Sequence, residues 1–124
     1  MTFRAILDAI LEGCDDCLGA VLMGSDGIPI EEAGSGHTLG GPLAEELGTA
    51  GVEFGRILDD IRKASDSLAG GTLAETVVVL ARFSLVFRPI DADTFLVVVV
   101  APDGNLGKAR YLMRRHLLAI RQEL

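Results

Sequence analysis

The sequence predicts an α+β domain in which a five-stranded antiparallel sheet carries helices on both faces, with the element order α-β-β-α-β-β-β-α. Three observations support this prediction. Apolar residues recur at helical spacing in three segments, β-branched and aromatic residues fill five shorter runs, and turn residues separate them. With 124 residues, 49% of them hydrophobic, the chain has the length and composition of one packed domain spanning residues 1–124.

The first predicted helix begins after Thr2, which has the side chain of an N-cap residue, and ends at Gly13. A β-hairpin follows in the stretch LGAVLMGSDGIPIEE, in which Asp26-Gly27 stands between two β-prone runs. Both residue types tolerate positive φ, so an Asp-Gly pair at this place is a strong turn signal. The stretch from Gly34 to Pro42 is rich in glycine and predicts a connecting loop.

The second predicted helix runs from about Leu43 to Leu68 and has two features. One is a row of small residues that includes Gly48, Gly51 and Gly55, which together lose roughly 3 kcal/mol of helix propensity relative to alanine. Close approach of another backbone, either the domain's own sheet or the same helix of a second copy, would offset that loss. Of these two alternatives we predict the second, a contact between the glycine rows of two copies in a dimer. The other feature is an apolar stripe of Leu43, Leu47, Ala50, Phe54, Ile57, Ile61 and Leu68.

Three β-branched or aromatic runs come next, at Thr76–Ala81, Phe83–Arg88 and Thr94–Ala101, and they predict an antiparallel meander. The chain then closes with Pro102-Asp103-Gly104 and a last helix that begins after Asn105, a good N-cap residue. An open, hydrophobic edge strand is a template for aggregation. We therefore expect the third strand to pair with its own copy across a twofold axis, which would cover Thr76, Val78 and Leu80.

The hairpin stretch LGAVLMGSDGIPIEEA and the closing APDGNLGKARYLMRR, set in this order of elements, resemble the roadblock/dynein light chain family. The resemblance covers almost the whole chain and implies the roadblock/longin-like sandwich. It also implies a dimeric adaptor, and for the bacterial, MglB-like branch it implies a partner of small Ras-like GTPases.

Charge is distributed unevenly along the chain. Residues 1–60 hold 12 acidic and 2 basic side chains, whereas residues 61–124 hold 6 acidic and 9 basic ones. The acidic total and the few aromatic residues argue against nucleic-acid binding. The last predicted helix is basic, which is typical of a solvated face or of a docking stripe for an acidic partner. Its basic residues are Lys108, Arg110, Arg114, Arg115 and Arg121.

No apolar run is long enough to span a membrane, and the N-terminus does not have the pattern of a secretory signal. We therefore expect a cytoplasmic protein with no membrane insertion.

Catalytic and metal chemistry is not indicated. Cys14 and Cys17 form a C-x-x-C pair, but it follows a helix and lacks further ligands, so we predict free, reduced, partly buried thiols. The loop from Gly34 to Gly41 matches neither a P-loop nor a dinucleotide fingerprint. Ser35 and His37 in that loop lack the oxyanion hole and the oriented base of a hydrolase. We expect no enzyme, no cofactor and no metal site.

An arginine supplied in trans can stabilise phosphoryl transfer in a Ras-like GTPase, which makes Arg56 and Arg62 candidates. Ordinary ion pairing with Glu53 and Asp59, each three residues earlier, is the favoured interpretation of both. The predicted partner-binding set on this helix is Glu53, Arg56, Asp60, Arg62 and Lys63.

Two functions of different class follow. The first is a noncatalytic homodimeric regulator or binding platform for a small Ras-like GTPase, acting in polarity, motility or transport. The second is a structural adaptor in a larger assembly without GTPase contact. A ligand-sensing or enzymatic domain that uses the glycine-rich loop is a weaker third hypothesis.

Overall fold

The computed structural model describes residues 2–34 and 42–124, with the side chains of residues 42–49 outside the description. Helices and strands follow one another in the predicted order. They are α1 (Phe3–Glu12), β1 (Cys17–Gly24), β2 (Pro29–Gly34), α2 (Pro42–Ser67), β3 (Thr76–Val79), β4 (Ser84–Pro89), β5 (Thr94–Val100) and α3 (Leu106–Glu123).

The strands form one sheet in the order β2-β1-β5-β4-β3, and each neighbouring pair is antiparallel. β1 and β5 therefore lie near the centre, although the whole of α2 and three further strands separate them in sequence. β2 and β3 are the two edges. The predicted α+β fold with a five-stranded antiparallel sheet is confirmed.

Helices cover both faces of the sheet. On one face α1 and α3 enclose a core that includes Ile6, Val98 and Met113, each fully buried. On the other face α2 lies over a smaller core that includes Leu58 and Val97. Val97 and Val98 are neighbours whose side chains point to opposite faces, and both are buried. β5 is apolar without interruption because helices cover the sheet on both sides of this strand.

Both predicted N-caps are confirmed. The Thr2 hydroxyl accepts a hydrogen bond from the Ala5 N–H at 3.1 Å, and the Asn105 side-chain oxygen accepts one from the Lys108 N–H at 2.9 Å. Each bond satisfies a backbone donor that the first turn of a helix leaves without an intrahelical acceptor.

Asp16 connects the start of β1 to the start of α3. Its carboxylate accepts from the Asn105 N–H at 2.8 Å, and its carbonyl accepts from the Ala101 N–H, also at 2.8 Å. Gly104 lies in the same corner, where an added Cβ would be 2.9 Å from the Asp16 Cβ. Asp16, which lies between the two cysteines in sequence, therefore stabilises the turn between β5 and α3.

The buried face of α2 agrees only in part with the predicted stripe, of which Phe54 packs against the core. Ile57 and Leu68, predicted to be on it, are 50% and 82% exposed, whereas Leu58 is 2% exposed. Gly51, Gly55 and Leu58 follow one another at i, i+4 and i+7, so they share the face of the helix that meets the sheet. The seven-residue spacing predicted a face of α2 next to the one that is buried, because apolar residues also occur on the outer side of the helix. Leu43 and Leu47 lie outside the described side chains.

Candidate interaction surface

Gly51 and Gly55 lie where α2 crosses the β1–β2 turn. A Cβ on Gly51 would be 2.6 Å from the carbonyl oxygen of Gly27, and a Cβ on Gly55 would be 2.6 Å from that of Ser25. Gly27 has φ +87° and is equally close, since its own Cβ would overlap the Val52 nitrogen. Only glycines permit this approach of two backbones.

The domain's own hairpin thus occupies the glycine face of α2, which is the alternative to the dimer contact. Close packing within one chain accounts for the unfavourable helix propensity of Gly51 and Gly55 without a second copy. Their role in a dimer stays a prediction. Gly48 lies outside the described side chains.

The turn itself is not a two-residue hairpin. The Gly24 N–H donates to the Ile28 carbonyl, the Gly27 N–H donates to the Gly24 carbonyl, and the Asp26 carboxylate accepts from the Ile28 N–H at 3.0 Å. Only Gly27 of the Asp-Gly pair has positive φ. The pairing register shifts between Leu22 and the following residue, so the hairpin carries a bulge that brings its turn up to α2.

The outer face of α2 carries a charged stripe flanked by two apolar side chains. At 100° per residue, Glu53, Arg56, Asp60 and Lys63 fall within one quadrant of the helix, opposite the glycine face. All four are exposed. Val52 lies on one side of this stripe and Ile57 on the other, each 50% exposed. Four of the five predicted partner-binding residues therefore share one accessible surface, which we call the outer α2 face and define by these six residues.

Arg62, the fifth, lies elsewhere. Six residues after Arg56 the helix has turned by about 240°, which directs Arg62 toward the sheet side of α2. Its side chain is 28% exposed, compared with 68% for Arg56. Of the two candidate arginines, only Arg56 is on the outer α2 face.

Both arginines form the ion pairs expected from their spacing. Arg56 lies 3.8 Å from the Glu53 carboxylate, and Arg62 lies 3.4 Å from that of Asp59. An exposed pair of this kind contributes only about 0–1 kcal/mol, so the Arg56 guanidinium can leave Glu53 at little cost.

One of the two edges of the sheet is β3. The Leu80 N–H donates to the Phe83 carbonyl at 2.9 Å, which makes these two residues a hydrogen-bonded pair. Since such pairs alternate along an antiparallel ladder, Val78 and Thr76 also bond to β4. The backbone groups of Val77 and Val79 consequently point away from β4, toward the open edge.

The exposed side chains of β3 alternate in the same way. Val77 and Val79 are 38% and 70% exposed, and Leu80, just beyond the strand, is 46% exposed. Val78 instead packs against the core under α2, and Thr76 is half-buried. Of the predicted edge residues Thr76, Val78 and Leu80, only Leu80 is exposed. The sequence analysis missed Val77 and Val79, and strand periodicity could have found them because they are the alternate set.

A partly buried ion-pair cluster joins the residue before β3 to β4 and α3. The Glu75 carboxylate is 15% exposed and pairs with two guanidinium groups, Arg88 at 3.4 Å and Arg110. Arg110 thus takes part in a tertiary contact, as does Arg121, whose Nε donates to the Ile90 carbonyl at 3.0 Å. The basic character of α3 is therefore only partly a surface property.

The two cysteines are free and buried. Burial raises the pKa of the Cys17 thiol, and the neighbouring Cys14 and Asp16 raise it further. A raised thiol pKa disfavours the thiolate that exchange reactions and metal binding require. The prediction of free, buried thiols is confirmed, and no group of three or more His, Cys, Asp or Glu side chains in the described ranges could hold a metal ion. Ser35 and His37, from the hypothetical hydrolase arrangement, lie outside the described residues.

No helix among the described residues is long and apolar enough to cross a membrane.

The sequence matches no protein-family model and no curated protein. Solved structures do match it. MglC from Myxococcus xanthus is 31% identical, with 100% of both chains covered and a TM-score of 0.70. A Roadblock/LC7 domain from Streptomyces avermitilis is 16% identical, with 98% of this chain and 97% of that chain covered and a TM-score of 0.81. An MglB with a tetrameric arrangement is 18% identical, with 96% of this chain and 85% of that chain covered and a TM-score of 0.82.

Proposed function

Because the chain belongs to the roadblock/LC7 family, with an MglB-like architecture, we propose that it is a noncatalytic homodimeric platform that binds a small Ras-like GTPase. The whole-length similarity to MglC supports a roadblock-type regulator. GTPase binding is what the resemblance to the MglB-like branch implies.

The outer α2 face is the observation that carries the proposal. Val52 and Ile57 leave half of their surface in water on a helix whose opposite side meets the sheet. Apolar side chains bordered by charges of both signs are typical of a protein-binding surface, in which the apolar contacts supply affinity and the charges supply orientation. The outer α2 face carries two negative charges, on Glu53 and Asp60, and two positive charges, on Arg56 and Lys63.

The open edge of β3 supports the proposed self-association. Pairing of β3 with its copy would give the outward N–H and carbonyl groups of Val77 and Val79 hydrogen-bond partners and would remove an aggregation-prone edge. A twofold axis at this edge would extend the sheet across both copies and bring the two α2 helices to the same side. An MglB with the same fold has a tetrameric arrangement, which supports the proposal that this chain self-associates.

The test is capture of Ras-like GTPases loaded with GDP or with a nonhydrolysable GTP analogue. We expect preference for the GTP-analogue form and weaker capture by Val52→Asp. Leu118→Asp is the matched control, because Leu118 is 65% exposed but lies on α3, across the sheet from α2. Equal capture by the two variants would overturn the role of the outer α2 face.

A structural adaptor without GTPase contact is the alternative. It shares the exposed β3 edge and differs in its partner, so a dimer that captures no GTPase in either nucleotide state would favour the adaptor.

A further inference from the structure

A cleft of about 570 Å³ opens where the second half of α2, the β4–β5 turn and the second half of α3 meet. Its volume lies within the roughly 300–1,000 Å³ of small-molecule sites. Apolar side chains and guanidinium groups line it together. The apolar part includes Leu73, Ile90 and Leu117, and the basic residues of the lining are Arg62, Arg88 and Arg121.

Each arginine comes from a different element, so the tertiary fold brings together three cations that are far apart in sequence. Arg62 is on α2, Arg88 is on β4 and Arg121 is on α3. Convergence of guanidiniums on an apolar cleft is unfavourable unless anionic groups compensate the charge. The carboxylates around the cleft therefore decide what it can bind.

The compensation is incomplete. Glu75 is shared between Arg88 and Arg110, so one carboxylate serves two cations. Arg62 pairs with Asp59, and Asp91 also lines the cleft. Among the residues that line the cleft itself, three arginines therefore stand against two carboxylates, those of Asp59 and Asp91. One positive charge remains.

Two hydrogen-bond details show where that charge is available. Arg121 uses its Nε on a neutral acceptor, the Ile90 carbonyl, which leaves its terminal amino groups free of that bond. The Arg88 Nε is buried and has no hydrogen-bond partner among the described residues. An unpaired buried donor costs about 1–3 kcal/mol, so an acceptor that drew the Arg88 guanidinium toward the cleft would relieve this cost.

We propose that this cleft binds an amphipathic carboxylate, a molecule with one carboxylate group on an apolar body. The carboxylate lies among Arg62, Arg88 and Arg121, and the apolar body lies on Leu73, Ile90 and Leu117. The single excess positive charge matches one carboxylate, whereas Asp59 and Asp91 would repel the further charges of a polyphosphate. The site is separate from the outer α2 face and does not depend on the proposed function.

Such a carboxylate could be a free small acid or the C-terminus of an apolar peptide. We would titrate the ¹⁵N-labelled protein with octanoate and with acetyl-Leu-Leu, and in parallel with octanamide and acetyl-Leu-Leu amide, following amide chemical shifts. The expected result is saturable binding of at least one acid with shifts at residues 72–74 and 90–92. Binding of the matching amide should be at least about tenfold weaker, the loss of one charge-assisted hydrogen-bonded contact. The acid that binds more tightly identifies the source.

Arg62→Gln and Arg56→Gln form a matched pair, because both arginines are on α2 with an acidic partner three residues earlier and only Arg62 lines the cleft. Arg62→Gln should weaken binding of the acid about tenfold, and Arg56→Gln should leave it unchanged. Arg121→Gln should also weaken binding of the acid, and it tests the same site from α3. The melting temperature of every variant shows whether it is folded. Equal binding of acid and amide, equal effects of the α2 pair, or no binding of either acid would overturn the proposal.

Discussion

Gly51 on α2 and Gly27 in the β1–β2 turn lie in direct backbone contact, and neither position has room for a side chain. The contact joins the part of the chain with the strongest turn signal to the helix that carries the outer α2 face. It therefore fixes the position of that face relative to the sheet.

Gly51→Ala should destabilise the protein. Alanine gains up to about 1 kcal/mol of helix propensity, but its Cβ would overlap the Gly27 carbonyl, and such overpacking typically costs about 1–3 kcal/mol. Gly107→Ala is the control, since a Cβ there meets only the Asn105 side chain, at 3.4 Å, in the first turn of α3. This variant should be neutral or more stable. Urea unfolding measures both, and an equal gain in the two variants would contradict the packing account.

Val77→Pro should separate self-association from folding. The Val77 N–H points away from β4, so proline there keeps the ladder with β4 and removes a donor from the open edge. We expect the native chain to dimerise and the Val77→Pro chain to be folded but monomeric at the same concentrations.

Val78→Pro is the contrasting variant, because the Val78 N–H bonds to β4 and proline there should lower the melting temperature. Sedimentation equilibrium gives the mass of each variant. A Val77→Pro protein that still dimerises would place the self-contact on another surface.

His116 should make the protein less stable in mild acid. Burial lowers its pKa below 6.5, and the Arg115 charge lowers it further. The unfolded chain then binds a proton more readily than the folded one. The contribution of His116 is fully present above about pH 6.5 and is lost as the pH falls through that value toward the lower folded pKa.

His116→Gln should remove this part of the pH dependence. The measurement is the free energy of unfolding at about pH 7.5 and 5.5, with His37→Gln separating the contribution of the other histidine in the chain. Parallel losses in the native protein and in His116→Gln would contradict the assignment.

The sequence predicted the helices, the sheet and both N-caps because local signals determine them. The two apolar faces of α2 could not be ranked in that way, since Ile57 and Leu58 are equally apolar and only the position of the β1–β2 turn decides which is buried. The glycine row indicated a close backbone contact but not the identity of the partner. The ion pairs of Glu75 depend on Arg88 and Arg110, which lie 13 and 35 residues away in sequence, so no local pattern could reveal them.

The central claim is that two copies of the chain form one platform for a GTPase, and the mass of the complex tests it most directly. Sedimentation of the native chain with a captured Ras-like GTPase bound to a GTP analogue should give a complex with two copies of the chain. Val77→Pro should bind the GTPase much more weakly. A complex that contains a single copy, or equal binding by the native chain and Val77→Pro, would contradict the account.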